Sequence, residues 1–248
     1  MSSEPTPTRR PIAAVRVSTI ALIGIVAAVA VPAGAAALVV SGSIGNHMKQ
    51  QTLSQDGPIT RVVIEDSDSS VRVTGDATLI GVSGKADVTW HSFSGTTSAK
   101  VSQQYADGVL TLTKDCGGGN CGADIDIKVP PTVSVQVTTS NAGVTITNVS
   151  GGVNVQNSNA GIEAKALGGG DTTLNTSNAA IEATFAGGPK NIWAHTSNSS
   201  VEITTDGRTP YYDKVVTSNA DEHLQNNPDR FAPNVIDVLT SNDSVTIK

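Results

Sequence analysis

The chain has 248 residues, of which 38% are hydrophobic, 15% charged and only 3% aromatic. Average soluble domains carry roughly 25% charged residues, so a salt-bridged helical bundle is a poor reading. Residues 42–248 hold 13 basic against 21 acidic side chains, a net −8. No phosphate-neutralising stripe is on offer, which argues against nucleic acid as a partner.

In chain order, residues 1–16 read as a cytoplasmic tail, with Pro5 and Pro7 in a short disordered start. Val17 to Val40 then runs 24 residues without a charge. As a helix this run extends ~36 Å at ~1.5 Å per residue, enough for a hydrocarbon core of roughly 30 Å. Arg9, Arg10 and Arg16 precede it, and the next basic residue is Lys49. That asymmetry predicts a single pass through the cell membrane, N-terminus inside and everything after Ser41 outside. Ala33-Gly34-Ala35 also suits a signal-peptide cleavage site. The apolar run continues past it to Val40, which favours the uncleaved anchor, and Pro32 fits either reading. Residues 41–60, polar and rich in Gly and Gln, read as a linker or stalk.

From 61 to 248 the chain reads as one β domain. Ile64–Val73 fits a strand, a corner at Asp68 and a second strand. Residues 78–130 alternate less regularly, and Asp107-Gly108 is a hairpin signal. This middle stretch is expected to be antiparallel and to pack on, or cap, the first turn of the solenoid. Cys116 and Cys121 flank Gly-Gly-Gly-Asn, a spacing that suggests a disulfide in an exported protein. The Gly117, Gly119, Gly122 spacing matches a dinucleotide loop by letter only, because an alternating strand and not a helix comes next.

Beyond residue 133 one signal dominates. Ser-Asn recurs at Asn141, Asn159, Asn178, Asn198, Asn219 and Asn242, with spacings of 18, 19, 20, 21 and 23 residues. Four residues earlier stand Val137, Val155, Leu174, Ala194, Val215 and Val238; three later stand Val144, Ile162, Ile181, Val201, Glu222 and Val245. Only Glu222 breaks the apolar pattern. Each unit is thus a strand, a four-residue corner and a second strand, and stacking units buries faces that one unit alone could not. The fold class is all-β: a parallel β-solenoid with coils of roughly 20 residues, an antiparallel β region near its start, and one preceding transmembrane helix. The asparagines share the parity of the inward residues, so an inward structural ladder of amides is expected. Asp206–Lys214 and Asp221–Asn234 are longer excursions that suit capping of the last layer.

The runs Thr139-Ser-Asn-Ala-Gly-Val-Thr-Ile, Thr176-Ser-Asn-Ala-Ala-Ile-Glu-Ala and Thr240-Ser-Asn-Asp-Ser-Val-Thr-Ile, with the Ile127-Lys-Val-Pro entry, resemble a bacterial family named "putative adhesin". It is a domain of unknown function with β-strand repeats. The resemblance covers roughly residues 60–248 and departs from the family's usual corner by placing Ala last in most units. It implies a surface-displayed β-solenoid and supplies no catalytic residue.

Chemistry is sparse. The nucleophile-elbow, P-loop and H-E-x-x-H patterns are absent, and His47, His91, His195 and His223 are scattered singly. Trp193 and His195 fall on the outward parity of one strand and, with Tyr211 and Tyr212, make a candidate ligand surface. Glu163, Glu182 and Glu202 form an outward column that a divalent cation could neutralise, although a solvated acidic face is the simpler reading. No catalytic or cofactor-binding residue is assigned, and no metal beyond that column. The expected role is a non-enzymatic surface protein that binds envelope polymers or other cells. The alternatives are an envelope-stress sensor working through a membrane protein partner, and then a glycan-active enzyme. Homotypic end-to-end association is expected if the strand ending at Ile247 is left uncovered.

Overall fold

The computed structural model describes residues 45–92 and 98–248. The tail at 1–16, the apolar run at 17–40 and the question raised by Pro32 lie outside the described residues. Among those described, no helix is long and apolar enough to cross a membrane. Nineteen strands carry the fold among the same residues. The first seven are β1 (Gly45–Gln55), β2 (Arg61–Glu65), β3 (Ser70–Gly75), β4 (Val82–Ser92), β5 (Lys100–Ala106), β6 (Val109–Asp115) and β7 (Cys121–Val129). Next come β8 (Ser134–Thr138), β9 (Val144–Thr147), β10 (Val153–Gln156), β11 (Ile162–Leu167), β12 (Thr172–Asn175), β13 (Ile181–Phe185), β14 (Asn191–His195) and β15 (Val201–Thr204). The last four are β16 (Tyr211–Val216), β17 (Glu222–Leu224), β18 (Asn234–Leu239) and β19 (Val245–Ile247).

Alternation of small β-branched residues sends every second side chain inward, and each Ser-Asn corner hands the chain from one sheet to the other. A ten-stranded sheet, β1-β4-β7-β3-β9-β11-β13-β15-β19-β17, lies across the core from a nine-stranded one, β16-β18-β14-β12-β10-β8-β2-β6-β5. The core is made of columns. Val144, Ile162, Ile181, Val201 and Val245 stand in register on one side; Val137, Val155, Leu174, Ala194 and Val238 stand on the other. All ten are buried. Burial of a Val or Ile side chain is worth roughly 1.5–3 kcal/mol, so each added coil secures itself and its neighbour.

The middle region is antiparallel at its edges. β4 runs between β1 and β7, and β5 pairs with β6 through Asp107-Gly108, whose positive φ values of 52° and 77° make the tight turn. β6 and β7, however, pair in parallel with β2 and β3 and form a coil of their own.

The linker expectation is corrected. The stretch 41–60 is not all stalk: Gly45–Gln55 is β1, paired along its length with β4, and Leu53 is fully buried. Its Gln-rich, polar composition suits an edge strand with a solvated face. Coils also do not stack in chain order at the ends. β18 and β19 slide between the β14–β15 coil and the β16–β17 coil, just as β2–β3 lies between β6–β7 and β8–β9. As a result Ile247 is fully buried between β15 and β17 and offers no open edge.

The reason for the interleaving at the late end is chemical. Inward positions of β18 and β19 are Ile236, Val238, Val245 and Ile247, which suit the interior. The matching positions of β16 and β17 include Asp213, in register with Ile236, and Glu222, in register with Val245. A coil with inward charges belongs at the end of a stack, where it closes the core and discourages further pairing.

Candidate functional site: polar ladders and outward faces

The asparagines do line up, but outside the core. Asn159 Nδ2 donates to Asn141 Oδ1, Asn178 to Asn159, Asn198 to Asn178, and Asn242 to Asn198, each at 2.8 Å. Asn219 closes the series on Asn242 at 3.2 Å. All six side chains are exposed, which corrects the inward ladder read from strand parity. The chain turns between the two strands, so alternation does not carry through the corner. The inward corner place belongs to the residue two before each Asn. Thr176 Oγ1 donates to Ala160 O at 3.2 Å, Thr196 to Ala179 O at 3.1 Å and Thr240 to Ser199 O at 2.9 Å. Asn157, standing in the same place, donates to Ala142 O and Ala160 O. This buried ladder was visible in the sequence as an unbroken Thr/Asn column among apolar ones, a sign that its hydroxyls and amide must find carbonyls.

The exposed ladder has a direction. Asn141 Nδ2 donates to Asp68 Oδ1 at 2.7 Å, and an ionised carboxylate can only accept. Every amide above it is therefore oriented with its NH₂ toward Asp68. Ser67 Oγ donates to the other carboxylate oxygen at 2.8 Å, and Lys114, paired with buried Asp66 at 2.6 Å, lies 3.9 Å away. The hydrogen bond from Asn141, then that from Ser67, and last the Lys114 charge hold the Asp68 carboxyl below its ordinary range against a small burial penalty.

Cys116 and Cys121 form a disulfide, Cα atoms 5.4 Å apart, closing the loop into β7. Glu163, Glu182 and Glu202 stand in register on the ten-stranded sheet. Lys165 pairs with Glu163, and Lys248 with Glu202 at 2.6 Å. The column is thus bracketed by ammonium groups, and among the described residues no three His, Cys, Asp or Glu side chains are grouped to hold a metal. The same face continues into a depression of about 470 Å³ lined by Arg72, Lys85, Asp87 and Asp126. There Arg72 meets Asp126 at 3.6 Å and Lys85 meets Asp87 at 3.5 Å.

The four residues read as a ligand surface separate. Tyr211 is buried, 1% exposed, in the cap coil, where burial, and then the Asp206 charge, push its phenol up to about 12. It is removed from any contact surface. Trp193, His195 and Tyr212 stay on the outward face of the nine-stranded sheet, the first two half-buried and Tyr212 exposed. The interleaved β18 brings Asp237 in register between Trp193 and Lys214. Asp237 lies 3.3 Å from His195 Nε2 and accepts from Lys214 Nζ at 2.6 Å. Burial raises the Asp237 carboxyl, but the hydrogen bonds from Lys214 and His195 and their charges outweigh it and hold it below the usual carboxylate range. Sequence reasoning missed Asp237, because only the strand order at the end places it there.

No family model matches the chain, and no curated protein matches it. Solved structures do. A "putative cell adhesion protein" from Clostridium sporogenes aligns over 82% of this chain and 99% of its own, at 10% identity and a TM-score of 0.45. A "putative adhesin" from Parabacteroides merdae aligns over 81% and 96%, at 10% identity and a TM-score of 0.31. A "putative adhesin" from Bacteroides fragilis covers the same shares at 10% identity and a TM-score of 0.27.

Proposed function

We propose that this chain is a non-enzymatic cell-surface protein, anchored by residues 17–40, whose rigid β-solenoid binds cell-envelope polymers or other cells. The observation that supports the reading most is the repetition of outward polar side chains. The ladder from Asp68 through Asn242 to Asn219, and the in-register rows on both sheets, present equivalent groups at each strand spacing of ~4.8 Å. A polymer with its own repeat meets such a surface at many weak contacts at once, and avidity accumulates without a deep pocket. The test is binding of the full-length chain, held in lipid nanodiscs, to immobilised envelope polysaccharides and to whole cells. Saturable binding that weakens steeply as the polymer is shortened supports the reading. Absence of binding to every polymer and cell, together with recovery of one stoichiometric membrane protein from solubilised membranes, replaces it with the sensor reading.

A further inference from the structure

The two outward faces differ in chemistry. Across β9, β11, β13 and β15 the ten-stranded sheet presents Thr145, Glu163, Glu182 and Glu202, with Lys165 beside them. Across β8, β10, β12 and β14 the nine-stranded sheet presents Gln136, Asn154, Thr173 and Trp193 in one row, and Thr138, Gln156, Asn175 and His195 in the next. Amides and hydroxyls dominate the second face from β8 to β14; beyond it Glu65 stands in register with Thr138, and Asp237 and Lys214, tied to each other, continue the Trp193 row. A column that would add a third row is interrupted at Gly152. That leaves a shallow depression of about 360 Å³ walled by Arg61, Gln136, Asn154, Asp171 and Thr173.

Aromatic surface adjoins the depression along the same row. Trp193 sits beside Thr173 on the next strand, and Tyr212, on β16, is two strands further and one row aside. At ~4.8 Å between strands and ~3.3 Å per residue, their Cα atoms are about 12 Å apart. The six strands from β8 to β16 span about 24 Å across the sheet. Flat aromatic faces suit the apolar faces of pyranose rings, while amides, hydroxyls and the held carboxylates of Asp171 and Asp237 suit ring hydroxyls.

We propose that this face, from the Gly152 depression over Trp193 to Asp237 and Tyr212, is a binding site for a neutral, hydroxyl-rich polysaccharide lying across the strands. The proposal deepens the polymer-binding reading and rests on it. The polymer is neutral because the face has no free cationic row for an acidic one: Lys214 is held by Asp237, and Arg61 stands alone at the far wall. Asp237, oriented by His195 and Lys214, accepts from sugar hydroxyls, and Asn154 and Gln136 both donate and accept.

Trp90 and Trp193 are the two tryptophans of the chain, so Trp90→Phe leaves Trp193 as the sole indole reporter. The experiment titrates the full-length chain in nanodiscs with soluble dextran and β-glucan as neutral probes and with polygalacturonate as an acidic one. Trp193 fluorescence should change saturably with a neutral probe. Trp193→Ala and Tyr212→Ala should each weaken binding by roughly tenfold, with Trp193→Phe restoring most of the loss and Glu182→Gln, on the opposite face, changing nothing. Melting temperatures of each variant separate contact loss from misfolding, and Asn154→Ala, at an exposed position, gives a milder second probe. Binding that survives both aromatic substitutions, or that is confined to polygalacturonate, overturns the proposal while leaving polymer binding standing. If the unsubstituted chain binds no polymer and no cell, both fall together.

Discussion

Between Ser134 and Thr204 each coil lies on the one before it; between Tyr211 and Ile247 the later coil enters beneath the earlier. The repeat is nearly the same in both regions, so the repeat does not decide the order. The inward residues do. Coils carrying Val, Ile, Leu and Ala on both sheets occupy the middle, and the coil carrying Asp213 and Glu222 closes the end.

This contrast is most sharply broken by truncating equivalent positions in the two late coils. Ile247→Ala, fully buried in β19 and in register with Leu224, should cost about 2–5 kcal/mol in urea unfolding. Leu224→Ala in β17, already 38% exposed, should cost less than about 1 kcal/mol. Equal losses would mean that β16–β17 is as enclosed as β18–β19. Next in size is the exposed ladder. Asn178→Ala removes a rung that both donates and accepts and should cost about 1–2 kcal/mol, whereas Asn219→Ala at the end of the series should cost about half of that.

Replacing the inward charge of the cap is a smaller change in stability with a larger change in behaviour. Asp213→Leu should stabilise the fold by at most about 1 kcal/mol, and light scattering should then show association as the end of the stack becomes apolar. A monomeric Asp213→Leu protein would remove the guarding role.

The smallest expected effect is acid dependence, of opposite sign at Asp68 and Asp213. Asp68 has a depressed folded pKa, so its contribution is full above the ordinary carboxylate value of about 3.9 and drains as pH falls through the folded value. Asp213 is raised by burial, with the Asn226 side chain partly opposing this. Its contribution is full below about 3.9 and is lost as pH rises through the folded value. Thermal melting between pH 3 and 7 should show Asp68→Asn losing less stability on acidification than the parent, and Asp213→Asn losing more. The reverse pattern would exchange the roles of the two carboxylates.

Much of this architecture was legible in the sequence. Ser-Asn spacing with flanking alternation fixes a two-strand coil, and Asp68 in the Asn place marks where the ladder starts. Coil order was not legible, because period-two alternation says which residues share a column but not which coil is whose neighbour. Glu222 was the visible break, and Asp213 shares its meaning once the register of β16 is known. The strand Gly45–Gln55 escaped notice because an edge strand with one wet face has the composition of a linker. At the candidate site, Trp193 and His195 could be read from parity, whereas Asp237 arrives from 42 residues beyond His195 through the interleaved strand.

Synthesis gives that interleaving a further consequence. The ribosome releases Tyr211–Leu224 before Asn234–Ile247, so the first docking partner open to the nascent β16–β17 is the β14–β15 coil itself. Seated there, Asp213 would face Ile192 and Glu222 would face Val201, two carboxylates pressed on fully apolar layers. That arrangement is penalised by desolvation, while the gap left for β18–β19 is filled by four apolar side chains. The two acids therefore disfavour the order in which the segments emerge relative to the order in which they are found.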